Sequence, residues 1–166
     1  GAEIHYFSTD VTQQEALTRT WRQVQQTVGV LNGVIHLART HDDQLLAMKS
    51  WESFHSVIQS KVQGTLLLDA LTADEPLDFF MLSSSLGGFG VRGSCDYAYA
   101  CAFQNAFARY RNQQVQRGAR KGKTLTHCWG PWLEDRLFPE SRAKLADNGF
   151  HLIRVADALP AIDASL

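Results

Sequence analysis

Apolar runs of strand length alternate with long stretches of helical period along this chain, and this alternation constrains its fold more than any other feature. The predicted strands cover residues 4–7, 33–38, 78–82 and 124–128. The predicted helices cover residues 13–28, 50–71, 97–116, 139–148 and 155–165. Strands that alternate with helices of crossover length are typical of α/β proteins with a parallel sheet.

The composition fits one domain over residues 1–166 and excludes several classes of function. Hydrophobic residues make up 45% of the positions, which is too high for a disordered chain, and a chain of this length buries one core. The net charge of −1 gives no support for nucleic-acid binding through bulk charge. No apolar run approaches the roughly 20 residues that span a bilayer. The three cysteines cannot form a disulfide framework, which favours a cytoplasmic location, and no spacing suits a metal site.

The loops that follow the predicted strands indicate where a ligand binds. In parallel sheets a ligand lies beyond the carboxyl ends of the strands. The segments in that position are residues 9–11, 38–40, 83–85 and 129–132. We expect these segments to line a single crevice.

Ser84 and Tyr97 are the candidate pair for chemistry, because one follows a strand and the other opens the next helix. A serine hydroxyl and a tyrosine phenol side by side can bind a carbonyl oxygen, and the tyrosine can donate its proton as that oxygen gains charge. A phenol with a pKa of about 10 needs a nearby cation to become a better acid, and Lys61 is the candidate. The alternative is that all three residues have structural roles only. The serine would then shape the turn, the tyrosine would pack in the core, and the lysine would be a solvated surface residue.

Six segments, in the same order along the chain, resemble the ketoreductase domain of modular polyketide synthases, which is a short-chain dehydrogenase/reductase. They are Asp10-Val11-Thr12, His36-Leu37-Ala38, Lys61-Val62-Gln63-Gly64, Ser83-Ser84-Ser85-Leu86-Gly87, Tyr97-Ala98-Tyr99-Ala100 with Ala102-Phe103, and Trp129-Gly130-Pro131-Trp132. The resemblance covers nearly the whole chain. It implies a Rossmann-like, doubly wound parallel sheet and hydride transfer from NADPH to the 3-keto group of an acyl chain.

The resemblance also implies roles for individual residues. Tyr97 resembles the proton donor, Ser84 the second donor to the substrate carbonyl, and Lys61 the cation that lowers the tyrosine pKa. The residues that match cofactor-binding segments are Asp10, Val11, His36, Ala38, Arg39, Ser83, Gly130, Pro131 and Trp132. The implied partners are an acyl carrier protein with a phosphopantetheine-bound 3-ketoacyl chain, a complementing N-terminal ketoreductase segment, and other polyketide synthase domains, with no nucleic acid, membrane or metal.

The chain departs from the family's pattern at three points. No GxGxxG motif follows a strand, so we expect an incomplete sheet that lacks the first strands and the glycine-rich loop and leaves strand 33–38 with an apolar edge. Cys101 joins the catalytic set where the family has an Asn of the proton relay, and a thiol is a weak donor and acceptor. It also suits a buried helix face. Arg39 replaces a Gly and would either block the nicotinamide ribose or pair with a phosphate.

Residues 41–43 and Phe89 bear on the configuration of the product. His41-Asp42-Asp43 lies where the subtype that makes a D-configured hydroxyl has Leu-Asp-Asp, and Phe89 lies where the opposite subtype has a Trp. Asp43 and Phe89 are therefore candidate substrate-binding residues, and a D-configured product is expected. The alternative is that both aspartates are solvated loop carboxylates.

Other conspicuous residues are interpreted structurally. We expect His36 to be a hydrogen-bonded core histidine, and Trp21 and Trp51 to lie on the inner faces of their helices. The basic run 117–123 is expected to be a solvated loop, with docking to an acidic carrier protein as the alternative. Two functions compete with the reductase. One is an inactive structural module, and the other is a hydrolase, which lacks a GxSxG elbow.

Overall fold

Helices and strands alternate along the chain in the computed structural model, which describes residues 1–90, 92–133, 139–147 and 149–166. The helices are α1 (Gln14–Val28), α2 (Trp51–Leu71), α3 (Cys95–Gln116), α4 (Pro139–Asp147) and α5 (Val155–Asp163). The strands are β1 (Gly33–His36), β2 (Phe79–Ser85) and β3 (Lys123–Trp129). None of the helices in the described ranges is long and apolar enough to cross a membrane.

The strands form one parallel sheet in the order β1-β2-β3, with β2 at its centre. Residues 33–36 pair with 79–82, and residues 79–85 pair with 123–129. Parallel neighbours need a crossover connection, which α2 supplies between β1 and β2 and α3 supplies between β2 and β3. The α/β prediction is confirmed, and all three strands point their carboxyl ends towards the same edge of the sheet.

The core lies between β2 and the helices that cross over the sheet. Phe80 and Leu82 are fully buried and pack with Leu77, Phe107 and Ala108. Successive residues of β2 point to opposite faces, so the burial of its consecutive apolar residues means that both faces are covered. Burying each large side chain of this kind stabilises the fold by roughly 1.5–3 kcal/mol.

A buried ion pair joins α2 to α3 at the amino edge of the sheet. Nε of Arg111 lies 2.7 Å from Oδ1 of Asp69, and its Nη1 donates to the carbonyl of Gly122 just before β3. Arg120 pairs with the same carboxylate at 3.0 Å. One residue of the basic run 117–123 is therefore held against the fold rather than solvated.

Two sequence-based expectations are wrong. Residues 1–10 form no strand, and Ile4 and Tyr6 are 87% and 88% exposed, because no described strand lies beside them to supply hydrogen bonds. Trp51 begins α2 on its outer side, where it is 68% exposed and stacks on Phe54 at 5.9 Å between ring centres. An apolar residue in the first turn of a helix need not face the sheet.

β1 forms an edge of the described sheet, as the sequence predicts. Ile35 and Leu37, at and just beyond its end, are 52% and 63% exposed. An apolar strand with open hydrogen-bonding groups is a surface that other chain segments can extend.

Candidate active site

The carboxyl edge of the sheet opens into a cavity of about 1020 Å³. Its walls come from the ends of the three strands, the turn at Leu86–Phe89, the first turn of α3 and the segment that follows β3. The predicted site residues that line it are Arg39, Lys61, Ser83, Ser84, Phe89, Tyr97, Gly130, Pro131 and Trp132. The structure therefore places the candidate pair and Lys61 in one cavity.

Ser84 and Tyr97 are brought together by the turn between β2 and α3. Ser84 is 2% exposed near the end of β2, and its Oγ donates to the carbonyl of Cys101 at 3.3 Å. A Cβ atom at Gly88 would lie 3.1 Å from the Cβ of Cys101. The missing side chain at Gly88 thus lets the turn pass close to α3, with Tyr97 in that helix's first turn.

Lys61 is buried rather than solvated, which excludes the structural alternative of a surface ammonium. Its Nζ donates to the carbonyl of Ser83 and, at 3.2 Å, to Oε1 of Gln104. It also lies 5.6 Å from the centre of the Tyr97 ring. Burial lowers the pKa of Lys61, because the charged form is held away from water.

Gln104 is a residue of the site that sequence reasoning missed. It is fully buried on α3, and its Nε2 donates to Oγ1 of Thr65 on α2 at 3.3 Å while its Oε1 accepts from Lys61. Gln104 lies two helical turns after Tyr97 on one face of α3, and Thr65 lies one turn after Lys61. That spacing is the signal that could have found it.

The pKa of Tyr97 is raised to about 12, mainly because burial disfavours the phenolate. Cys101 raises it further, whereas the Arg39 guanidinium and a hydrogen bond with Ser85 lower it. The net direction is opposite to the lowering expected from a nearby cation. The ammonium of Lys61 is engaged by two oxygen acceptors, so its effect on the phenol stays a prediction.

Cys101 is a buried thiol at the back of the site. It is fully buried on α3, and burial raises its pKa. The positive charge of Lys61 and the polar side chains of Tyr97 and Ser84 partly offset this rise in its pKa. A protonated, buried thiol is a poor nucleophile, which disfavours a hydrolase that uses Cys101.

A second cavity of about 380 Å³ lies beside the loop that precedes α1. Asp10, Val11 and Ala38, three of the predicted cofactor-binding residues, line it. Oδ1 of Asp10 accepts hydrogen bonds from N and Oγ1 of Thr12, both at 2.8 Å, and these bonds lower its pKa. Part of the role of Asp10 is therefore to shape the turn into α1.

Arg39 lines both cavities, so it stands at the junction between the two groups of predicted cofactor-binding residues. Its charge lowers the pKa of Tyr97 and contributes to the lowering of that of His41. This position is compatible both with contact to a phosphate and with obstruction of a ribose.

His36 and Asp43 lie outside the lining of both cavities. His36 is 2% exposed, its Nε2 lies 3.1 Å from the carbonyl of Ser60, and burial lowers its pKa to about 4. The prediction of a hydrogen-bonded core histidine is confirmed. Oδ1 of Asp43 accepts from Oγ of Ser94 at 2.8 Å, and Ser94 lines the larger cavity. The side chain of Ser94 therefore lies between Asp43 and that cavity.

His41 and a buried ion pair are further features that sequence reasoning missed. The ring of His41 lies 4.3 Å from the ring of Tyr97, centre to centre, in the larger cavity. Nζ of Lys49 lies 2.6 Å from Oδ2 of Asp96, and both side chains are 1% exposed. Charged residues far apart in sequence carry no signal that they will meet in a buried pair.

One polar atom at the smaller cavity is left for a bound ligand to pair with. The described ranges hold no group of three His, Cys, Asp or Glu side chains placed to bind a metal. Oγ1 of Thr9, at the second cavity, is buried without a hydrogen-bond partner in the described structure. A buried hydroxyl of this kind is normally paired, so a polar ligand group at this cavity would satisfy it.

Comparison of sequences finds related polyketide synthases. A family model described as "KR domain" matches residues 1–134. The chain is 40% identical over 133 residues to "Polyketide synthase PksL" of Bacillus subtilis (strain 168), which covers 80% of this chain and 3% of that protein. It is also 40% identical over 133 residues to "Polyketide synthase PksN" of the same strain, covering 80% of this chain and 2% of that protein.

Comparison of structures finds ketoreductases. A ketoreductase domain from the bacillaene assembly line matches 98% of this chain with a TM-score of 0.91 and 34% identity. An N-terminal ketoreductase from the macrolactin assembly line matches 98% with a TM-score of 0.85 and 33% identity. This chain spans 40% and 31% of those two chains, respectively.

Proposed function

Because the chain belongs to the KR family and is a ketoreductase domain of the polyketide synthase type, we propose that it carries the substrate side of an active site that reduces a 3-keto group with NADPH. The observation that carries this proposal is the position of Ser84, Tyr97 and Lys61 in the lining of one cavity. The substrate we propose is a 3-ketoacyl chain on the phosphopantetheine arm of an acyl carrier protein.

Tyr97 is the proton donor in this proposal. Its pKa of about 12 keeps the phenol protonated at neutral pH, and a reduced ketone oxygen becomes an alkoxide, a stronger base than phenolate. Ser84 supplies the second hydrogen bond to the same oxygen once its hydroxyl turns from the Cys101 carbonyl. When bound, NADPH supplies the hydride to the carbonyl carbon. The product is the 3-hydroxyl, with its carbon reduced by the hydride and its oxygen protonated by Tyr97.

The two cavities divide the proposed cofactor contacts. Asp10, Val11 and Ala38 at the smaller cavity would hold the adenosine end, and the segment 130–132 at the larger cavity would lie against the nicotinamide. Ser83, in the lining of the larger cavity, would lie beside the nicotinamide end. His36 contacts the carbonyl of Ser60, which lines the smaller cavity, and would support the adenosine end from the core. The Thr9 hydroxyl, which is buried without a hydrogen-bond partner in the described structure, supports the binding of a polar ligand group at the adenosine end.

The proposed assembly includes other parts of a synthase in the cytoplasm. A complementing N-terminal ketoreductase segment would supply the glycine-rich loop for the pyrophosphate and extend the exposed edge of β1. Other polyketide synthase domains would deliver the substrate, and the exposed lysines of the run 117–123 are candidate contacts for the acidic carrier protein. Phe89, in the lining of the larger cavity, and Asp43, hydrogen-bonded to Ser94 of that lining, would favour a D-configured hydroxyl.

An inactive structural module is the second candidate function. Two observations favour it: the guanidinium of Arg39 stands between the two cavities, and a thiol at Cys101 takes the place of a relay amide. A module of this kind would keep the fold and the cavity without turning over substrate.

Turnover separates the two candidates. The polypeptide that carries this chain should consume NADPH when given a 3-ketoacyl thioester, and chiral chromatography should identify a D-configured product. Tyr97→Phe should lower kcat by about a hundredfold or more, because it removes the proton donor. Tyr99→Phe, two residues along on an exposed face of α3, is the matched control and should leave kcat unchanged. Tight NADPH binding without turnover would support the structural module instead.

A further inference from the structure

Segment 41–44 runs beside the start of α3 and contacts it at several successive positions. The His41 ring lies on the Tyr97 ring with 4.3 Å between centres, and Oδ1 of Asp43 accepts from Oγ of Ser94 at 2.8 Å. The backbone N of Gln44 donates to the carbonyl of Gly93 at 2.9 Å. The loop after β1 is thus joined to the helix that carries the proposed proton donor.

The buried side chain of Lys49 also links this segment to α3. Its Nζ lies 2.6 Å from Oδ2 of Asp96 and also donates to the carbonyl of Asp42. The other oxygen of Asp96, Oδ1, accepts from the backbone N of Tyr97 at 2.8 Å. The Lys49 ammonium therefore touches the segment next to His41 and the residue next to Tyr97.

A buried ion pair of this kind is an unusual feature to keep for stability alone. Both side chains are 1% exposed, and removing two charges from water costs energy that their attraction only partly returns. In some proteins such buried polar groups are retained because they fix one geometry. Here the geometry next to the pair is the contact of His41 with Tyr97.

We propose that the buried Lys49–Asp96 ion pair is a positioning device that holds segment 41–44 against α3 and so keeps the His41 ring on the Tyr97 ring. This inference rests on the proposed function, in which Tyr97 donates a proton. His41 limits the directions in which the Tyr97 ring can turn, and Lys49 and Asp96 act only through that contact. A shift of about 1 Å in a reacting group can lower the rate about a hundredfold.

Three variants of the polypeptide that carries this chain test the device. Lys49→Met leaves the Asp96 carboxylate buried without its cation, so both the free energy of unfolding and kcat should fall, kcat by about tenfold or more. Lys49→Met with Asp96→Asn removes both charges and retains an acceptor for the backbone N of Tyr97. We expect it to recover stability but not kcat, with the KM for NADPH within about twofold of the parent. Arg22→Met, an exposed change on α1, is the control and should alter neither quantity.

His41→Ala supplies a test that does not disturb the ion pair. It should lower kcat to a similar extent with the free energy of unfolding unchanged, because His41 lies on the cavity wall. Recovery of kcat together with stability in the double variant, or an unaltered kcat in His41→Ala, overturns the proposal.

Crystal structures separate this inference from the proposed function. In the parent the His41 and Tyr97 rings should remain in contact, and in the double variant they should separate. A parent that shows no turnover contradicts the proposed function, and the ring contact alone then decides the positioning role. Rings that stay in contact in the double variant contradict the positioning role even if the parent is active.

Discussion

The buried ammonium of Lys61 lies 5.6 Å from the centre of the Tyr97 ring while its hydrogen bonds go to the Ser83 carbonyl and to Gln104. This arrangement connects the end of β2, α2 and α3 through one cation. Because Ser83 directly precedes Ser84, the same cation fixes the backbone beside one proposed donor and lies beside the other. Lys61 therefore both holds the backbone at Ser83 in place and sets a positive charge beside the Tyr97 ring.

Lys61→Met should lower kcat about a hundredfold, since it removes the positive charge beside the proposed proton donor. The free energy of unfolding should fall by about 1–3 kcal/mol, because Met leaves Oε1 of the buried Gln104 and the Ser83 carbonyl without this donor. Turnover assays and urea unfolding measure the two effects. The control is Arg22→Met, which removes an exposed cation on α1 far from the cavity residues in sequence. A kcat within about threefold of the parent would show that Lys61 only supports the fold.

Cys101→Ser should raise kcat by about twofold to fivefold. A hydroxyl is a better donor and acceptor than a thiol and fits the same space beside Tyr97 and Ser84. Steady-state turnover measures the effect, and Cys128→Ser, the same change at a half-buried thiol on β3, is the control. If stability falls and kcat does not rise, Cys101 is a packing residue and the impaired-relay hypothesis is wrong.

The fold and the juxtaposition of Ser84 and Tyr97 were accessible from sequence through local rules, whereas their catalytic roles were inferred from the family resemblance. The apolar run of β2 and the period of α3 set the strand and the helix, and the parallel-strand rule then places Ser84 and Tyr97 at one edge. Strand 4–7 was predicted wrongly. Its residue types favour a strand, but a strand forms only where a neighbouring strand supplies hydrogen bonds. Trp51 was placed wrongly because helical period is weakest in the first turn.

The buried polar contacts were not accessible from sequence. Lys49 and Asp96 are 47 positions apart in the sequence, and each alone resembles a solvated charge. The position of His41 on Tyr97 depends on how the loop after β1 folds back on α3, which no periodicity describes. The upward shift of the Tyr97 pKa depends on its burial, and burial is a property of the assembled cavity.

Arg39→Ala should weaken NADPH binding by about fivefold to tenfold. A guanidinium at the junction of the two cavities is placed to pair with a dinucleotide phosphate, and a partly exposed, charge-assisted hydrogen bond of this kind contributes on this scale. Fluorescence titration at low and high salt measures the effect, and the salt dependence of the Kd should decrease in the variant. Arg22→Ala on α1 is the control. Tighter binding in Arg39→Ala would show instead that the guanidinium obstructs the cofactor.

His36 should make the folded state less stable in mild acid. Burial lowers its pKa from 6.5 to about 4, so between these values the unfolded chain binds a proton that the folded chain excludes. Its contribution is complete above pH 6.5 and is lost as the pH falls towards 4, by up to about 3 kcal/mol for a shift of this size. Urea unfolding at pH 7 and pH 5 should show a smaller acid loss in His36→Gln than in the parent. His55→Gln, on the exposed side of α2, should keep the parent's full acid loss, and an equal loss in all three proteins would show that His36 is protonated in the folded state.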